Sequence, residues 1–310
     1  MRIVFFGSDD FALEHLRYLV ENKYKVMACV TQPDRPRGRG WKMIISPIKE
    51  YALRHDIPVW QPDDMRDASF TRQLREADVE LFVVIAFGRF LPDEILALPA
   101  WGSINVHASL LPKYRGAGPI NWAIIKGETR SGITIMKLNA TMDGGDMIAQ
   151  IPIEIDPRDD APHLRAKMIA AGPAFLGETI IKIKRGENQL IPQDASQVTF
   201  APKLKKAMGL IDWSRSAKDI HNLVRGLKPW PSTYTHWKSK TLKILETELV
   251  ETHYDAAPGT IVAAGKQGIL TATVDNALLI KQVHLENARP MDALAFIVGH
   301  KVDVGYAWDR

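Results

Sequence analysis

Trp101-Gly-Ser-Ile-Asn-Val-His107-Ala-Ser-Leu-Leu-Pro112 is the stretch on which the reading of the fold turns. Its first half alternates, so Ile104 and Val106 share one face of a strand while Asn105 and His107 share the other. Pro112 and Gly116 then end regular structure. Open α/β sheets present reactive groups at the ends of apolar strands in this manner. Two polar neighbours at a strand end also suit a satisfied structural pair. The carboxylate of Asp143, in Asp143-Gly-Gly-Asp146 after a helix-length gap, tips the reading toward chemistry.

Outward from this stretch, apolar strand-like runs occur at 3–6, 26–31, 81–85, 104–107 and 133–138. Helical patterns at 10–20, 47–54, 67–75, 93–98 and 119–126 lie between several of them. The alternation predicts an α/β fold, a doubly wound, mostly parallel Rossmann-like sheet with its reactive residues near the carboxyl ends of strands. The first turn, Gly7-Ser-Asp-Asp10, lacks G-x-G-x-x-G, and its acidic helix start does not favour a pyrophosphate. A helix over 161–184 carries an apolar stripe with a kink expected at Gly172-Pro173. Residues 186–202 are weakly periodic and read as a linker. Past a helix near 217–227, β-rich runs at 242–245, 259–263, 269–274 and 278–283 predict a second, smaller barrel. The expected division is 1–185, a linker at 186–204, and 205–310.

The side chains Asn105, His107 and Asp143 have complementary uses at one carbonyl carbon. An amide N–H can donate to an oxygen that becomes negative in a tetrahedral intermediate. A histidine can donate to the same oxygen or move a proton, and a neighbouring carboxylate can orient the ring and accept a proton from an attacking amine. Together they suit acyl transfer without an enzyme nucleophile. The sole cysteine, Cys29, sits in an apolar run, and no serine occupies a nucleophile elbow.

With 46% hydrophobic and 25% charged residues over 310 positions, the chain reads as an ordinary globular protein of two domains. One cysteine excludes an internal disulfide, no Cys/His spacing resembles a zinc site, and no apolar run reaches about 18 residues. A cytoplasmic protein without metal or membrane association is expected. The net charge of +4 is uneven. Residues 203–243 hold ten basic residues, among them Lys203, Lys205 and Lys206, against Asp212 and Asp219. Such density suits a polyanion surface as well as a solvated face. A second basic cluster, Arg35, Arg37, Arg39 and Lys42, lies in 32–42, whose prolines and glycines are expected to forbid a regular strand or helix and to leave a mobile loop. In 85–91, Ile85, Phe87, Gly88 and Leu91 supply apolar side chains and a glycine where backbone can approach a flat ring, or else a loop packed on the core.

The order and spacing of Ile3-Val-Phe-Phe-Gly7, Thr31-Gln-Pro-Asp-Arg-Pro36, Asn105-Val-His107, Ser109-Leu-Leu-Pro112, Arg115-Gly116, Met142-Asp143, Ile211-Asp-Trp-Ser214 and Pro229-Trp-Pro231 resemble the bacterial methionyl-tRNA formyltransferase family. The resemblance runs from Arg2 into the C-terminal region. It implies transfer of a formyl group from 10-formyltetrahydrofolate, a co-substrate, to the α-amino group of methionine on initiator tRNA. It places Asn105, His107 and Asp143 at the catalytic positions. Ser109, Leu110, Leu111 and Pro112 then border the folate, and Ile85, Phe87, Gly88 and Leu91 form its pterin pocket. It also implies an OB-like C-terminal barrel, contact of the Arg39 region with the tRNA acceptor arm, and a monomer. Gly144 departs from the family, which more often carries Thr or Ala there. Glycinamide ribonucleotide formyltransferases share the catalytic trio, and sugar-nucleotide N-formyltransferases and formyltetrahydrofolate hydrolases are further alternatives, but none accounts for both basic segments. A vestigial RNA-binding protein would have lost one of the three, and an oxidoreductase would carry the glycine fingerprint.

Overall fold

A computed structural model describes residues 1–37 and 42–309. The chain divides into two compact units. The first comprises Met1–Gly116, Ser131–Glu154 and Arg165–Phe200; the second comprises Ala117–Arg130, Ile155–Leu164 and Ala201–Arg310.

In the first unit, β1 (Arg2–Gly7), β2 (Lys25–Val30), β5 (Val59–Trp60), β6 (Leu81–Ile85), β7 (Ser103–His107), β8 (Arg130–Lys137) and β9 (Met147–Glu154) form one sheet. Their order is β5-β2-β1-β6-β7-β8-β9. The strands from β5 to β7 are parallel, and β8 pairs antiparallel with β7. The sheet is therefore mostly parallel. The chain winds outward from β1 to β5, then returns to the other side of β1, which leaves a crevice at the carboxyl ends of β1 and β6. Parallel strands buried on both faces need continuous apolar runs, and Leu-Phe-Val-Val-Ile of β6 is buried throughout. Phe6, Phe82, Phe87, Leu74 and Ile95 share one core cluster, with Phe6 edge-on to Phe82 and Phe87.

The crossover helices start where capping residues allow. The Asp9 carboxylate accepts from Ala12 N at the head of α1 (Asp10–Glu21), and Ser46 caps α2 (Pro47–Arg54), whose first residue is proline. Further on come α3 (Ala68–Glu76), α4 (Asp93–Leu96), α5 (Pro119–Ile125) and α6 (Ala161–Arg185). The last runs unbroken through Gly172-Pro173. Gly172 is where α6 meets α1, since a Cβ there would lie 2.7 Å from His15 Nε2.

The basic segment departs from the sequence reading. Arg35–Arg37 (β3) and Lys42–Ile44 (β4) pair antiparallel as a two-stranded ribbon, so its prolines and glycines do not forbid strands. Pro36 lies opposite Met43 in this register. Arg39 and Trp41 lie outside the described residues.

In the second unit, α7 (Ala217–Gly226) packs on a six-stranded sheet made of β10 (Thr233–Trp237), β11 (Lys240–Val250), β12 (Ile261–Gly265), β13 (Gly268–Ala272), β14 (Ala277–Leu285) and β15 (Met291–Asp292). The order β10-β11-β14-β13-β12, with β15 beside β14, is antiparallel and does not close into a barrel. Its core holds Trp213, Trp237, Trp308 and Phe296, the last on α8 (Ala293–His300). Two indole N–H groups are satisfied within it, Trp308 by Thr271 at 3.0 Å and Trp213 by Thr235 at 3.3 Å. The early helix α5 belongs to this unit: Asn121 Nδ2 donates to the Gly226 carbonyl at 2.7 Å, and a Cβ on Gly226 would meet Ile125 at 2.4 Å.

Candidate active site

Asn105 and His107 stand on one face at the carboxyl end of β7, as their alternation requires. Asn105 lies in register between Val84 and Met136, and His107 opposite Thr134. His107 is buried, and its Nε2 lies 2.9 Å from the Tyr114 carbonyl, which can only accept; Nε2 therefore carries a hydrogen. Its Nδ1 faces Asp143 Oδ2 at 3.6 Å. Both ring nitrogens thus look at acceptors, and the longer, looser side is the one toward Asp143.

Asp143 is carried on the turn between β8 and β9 rather than on a strand. Its backbone is left-handed, φ 48°, a conformation Asp tolerates better than most residues. Oδ2 accepts from Gly116 N at 2.8 Å, tying the carboxylate to the segment after Tyr114. The turn itself is tightly seated, since a Cβ on Gly145 would fall 1.8 Å from the Lys137 carbonyl oxygen. The structure therefore gathers His107 and Asp143 on β7 and the adjoining turn, with Asn105 two residues back on the same strand face.

The Ser109 to Pro112 segment is fixed through its main chain. Thr134 Oγ1 donates to the Ser109 carbonyl at 2.6 Å and accepts from Leu111 N at 3.0 Å; Gln150 Nε2 donates to both Leu111 O and Thr134 Oγ1. Ser109 Oγ donates to the Lys113 carbonyl at 2.6 Å. Ser109 and Leu111 are buried, and Leu110 and Pro112 half-buried. Sequence reasoning missed Thr134 and Gln150, each a polar residue flanked by apolar ones inside its strand. That is the signal that could have found them.

Ile85, Phe87 and Leu91 are buried, and Phe87 and Leu91 belong to the core cluster. What the loop shows outward is the main chain around Ala86 and Gly88, both at positive φ, together with Phe90. The Phe87 carbonyl accepts from Gln32 Nε2 at 2.8 Å and Ser8 Oγ at 3.3 Å. A cavity of about 200 Å³ lies beside the loop, lined by Asp63, Met65, Arg66, Arg89, Phe90 and Pro92 among others; Asn105, His107 and Asp143 do not line it.

Two family models match the chain one after the other. The Formyl transferase family matches residues 1–180, and the Formyl transferase, C-terminal domain family matches 203–301. A methionyl-tRNA formyltransferase of Acetivibrio thermocellus is 45% identical over 306 residues, 98% of each chain, and one of Caldanaerobacter subterraneus is 46% identical over 98% of this chain and 99% of its own. The chain belongs to the methionyl-tRNA formyltransferase family.

More distant relatives share the family's fold. The sugar 3N-formyl transferase WlaRD superposes with a TM-score of 0.69 at 18% identity, over 93% of this chain and 99% of its own. HypX from Aquifex aeolicus gives 0.64 at 16% identity, over 96% of this chain and 47% of its own, so this chain spans about half of it. At these identities the likeness is one of fold.

Two basic segments complete this picture of a family member. Lys203, Lys205 and Lys206 are exposed in the second unit. In the first, Arg35, Arg37 and Lys42 lie on the β3–β4 ribbon, while Arg39 lies outside the described residues. At the ribbon's base, the Lys49 ammonium joins Asp34 Oδ2 at 2.5 Å and Gln61 Oε1 at 2.6 Å, and it holds the Asp34 carboxyl below the usual carboxylate range. Gln61 also donates to the Gln32 carbonyl at 2.9 Å. Burial in β2 pushes the Cys29 thiol up to about 12, which leaves it no use as a nucleophile.

Proposed function

We propose that this chain transfers the formyl group of 10-formyltetrahydrofolate to the α-amino group of methionine carried on initiator tRNA. The observation that carries the reading is the meeting of His107 and Asp143 beside Asn105, in a chain 45% identical over 98% of its length to a methionyl-tRNA formyltransferase. The solved structures of HypX and WlaRD hold tetrahydrofolic acid and 5-N-formyl-THF respectively, which supports a folate co-substrate here.

In this reading the methionyl amine attacks the formyl carbon, a C–N bond forms, and the carbonyl oxygen becomes an oxyanion. The Asn105 amide and the Nδ1–H of a doubly protonated His107 stabilise it. The doubly protonated ring is the form that can donate both to Tyr114 and toward Asp143 or the oxyanion. Asp143 orients the ring and takes the amine's proton; the oxyanion then collapses to a carbonyl, the bond to N10 of the folate breaks, and the proton held by Asp143 passes to N10. Ser109, Leu110, Leu111 and Pro112 border the folate. Ile85, Phe87, Gly88 and Leu91 contribute mainly backbone, because the Phe87 and Leu91 side chains serve the core.

Arg35, Arg37, Arg39 and Lys42 contact the acceptor arm, and Lys203, Lys205 and Lys206 contact tRNA phosphates. The C-terminal sheet acts as an OB-like tRNA-binding module, 205–310, joined through 186–204 to a catalytic region, 1–185. The protein works as a cytoplasmic monomer, and none of the helices among the described residues is long and apolar enough to cross a membrane. The test is transfer of labelled formyl from 10-formyltetrahydrofolate to charged initiator tRNA, charged elongator tRNA and free methionine in parallel. Formylation confined to the charged initiator is expected. Transfer to a sugar-nucleotide amine and to none of these three would overturn the reading.

A further inference from the structure

Residues 181–202 fall between the two regions matched by the family, and one side chain within them reaches the catalytic turn. Gln193 Nε2 donates to the Asp143 carbonyl and to the Gly145 carbonyl, both at 2.8 Å. Its Oε1 accepts from Arg115 Nε at 3.0 Å and from Nη2 at 2.8 Å. Both protons and both lone pairs of one amide are thereby used. The approach is fixed from two sides: Ile191 exchanges N–H···O bonds with Met147 at 2.9 Å, and Arg115 N donates to Thr199 O at 2.9 Å.

Asp143 needs such support. Its left-handed backbone has no glycine's freedom, and its Oδ2 reaches His107 only while the turn stays seated. The two carbonyls that Gln193 grips bracket Gly144, so the amide holds the turn on either side of its middle residue. Arg115 supplies the fixed end of the grip, and the next residue, Gly116, gives its N–H to the Asp143 carboxylate. One short arm therefore holds the aspartate by both its main chain and its side chain.

We propose that Gln193 is a positioning residue for Asp143, holding the 143–145 turn at the distance from His107 that formyl transfer uses; this rests on the catalytic reading given above. The segment 186–202 is then part of the catalytic apparatus and more than a tether.

The test uses the full chain, 10-formyltetrahydrofolate and charged initiator tRNA, with Gln193→Met, Gln193→Glu, Asp143→Ala and the Asp143→Ala/Gln193→Met double variant. Gln193→Met keeps the length and loses these four bonds together with the long Nε2 contact to Met136 Sδ at 3.9 Å. Gln193→Glu keeps the partnership with Arg115 and puts an acceptor against the two carbonyls. A displacement near 1 Å at a catalytic group can lower a rate about 10²-fold, so kcat is expected to fall by about that factor in both Gln193 variants, with KM for folate and tRNA within about twofold of wild type. In the Asp143→Ala background, followed over long incubation, Gln193→Met should change the residual rate by less than about threefold. Equal losses in both backgrounds, or a wild-type kcat in Gln193→Glu, would overturn the proposal and leave Gln193 a tether through Arg115. Should Gln193→Met not fold, Gln193→Glu carries the test alone. A wild-type rate in Asp143→Ala removes the catalytic reading and this inference together, whereas an inactive Asp143→Ala beside a fully active Gln193→Glu removes this inference only.

Discussion

Replacing Gly145 by alanine adds one methyl carbon at the point where the turn carrying Asp143 is most tightly seated. That carbon would lie 1.8 Å from the Lys137 carbonyl oxygen and 2.9 Å from its carbon, both backbone atoms of β8. To reach even 3.0 Å, below which real Cβ contacts essentially never occur, the two chains must part by about 1.2 Å. The strand cannot give readily, because Ile104 lies opposite Lys137 in the sheet and the next residue, Leu138, donates its N–H to the Ser103 carbonyl of β7 at 2.8 Å. The turn therefore moves, and Asp143 moves with it, away from a His107 contact already at 3.6 Å. A shift of this size predicts a loss in kcat of about 10²-fold with little change in KM, read by single-turnover formyl transfer at saturating folate and tRNA. Gly144→Ala is the softer case: its new carbon meets only side chains, Thr141 Cγ2 at 2.5 Å, Thr141 Cβ at 2.9 Å and Arg115 Nη1 at 3.2 Å, and a loss smaller than that of Gly145→Ala is expected. A Gly145→Ala protein with wild-type kcat would show that the seat of this turn does not set the position of Asp143.

Three further expectations follow from the same structure. His107→Ala should lower kcat by about 10²–10³-fold with tRNA and folate still bound, since one preorganised oxyanion donor commonly contributes that much; turnover at the wild-type rate would refute its role. Neutralising Lys203, Lys205 and Lys206 together should raise KM for tRNA and reduce the slope of log K against log salt by about 2–3, measured between 50 and 200 mM salt, and an unchanged slope would acquit them. His15, fully buried against α6, has its pKa pushed down from 6.5 to about 4 by burial, so the unfolded chain takes up the proton first as pH falls. Stability from this group is complete above pH 6.5, declines through the window down to about 4, and is lower by roughly 2 kcal/mol at pH 5; His15→Leu should flatten that part of the profile in denaturant melts.

Much of the first unit was legible because its signals are local. Leu81–Ile85 and Pro47–Arg54 have the limits their residues predict, one a continuous apolar run and the other a Ser-Pro start with an amphipathic face. Strand β9 was not foreseen, because Met-Ile-Ala-Gln-Ile-Pro-Ile-Glu contains a proline and, of its eight positions, only Ile148 is buried, the pattern of an edge strand. The β3–β4 ribbon escaped for a related reason: composition set against strands was outweighed by pairing between two short arms. The assignment of α5 to the second unit is likewise absent from any window of sequence, since it rests on Asn121 and Ile125 meeting Gly226 a hundred residues away.

The proposed catalytic trio shows where such reading stops. Asn105 and His107 are two residues apart on one strand, so period-two alternation alone puts them side by side. Asp143 has no such rule. Its place depends on a left-handed backbone, on Gly145 pressed against Lys137, on the Gly116 N–H and on Gln193, fifty residues further along. A carboxylate on a turn can be set by several weak constraints from distant parts of the chain, whereas a strand residue inherits its position from the sheet. The same arrangement makes the turn the more adjustable half of the site. Variation that retunes the reaction should therefore accumulate in residues that hold the aspartate, among them Arg115, Gly145 and Gln193, rather than in β7, where moving Asn105 would also disturb its register with Val84 and Met136.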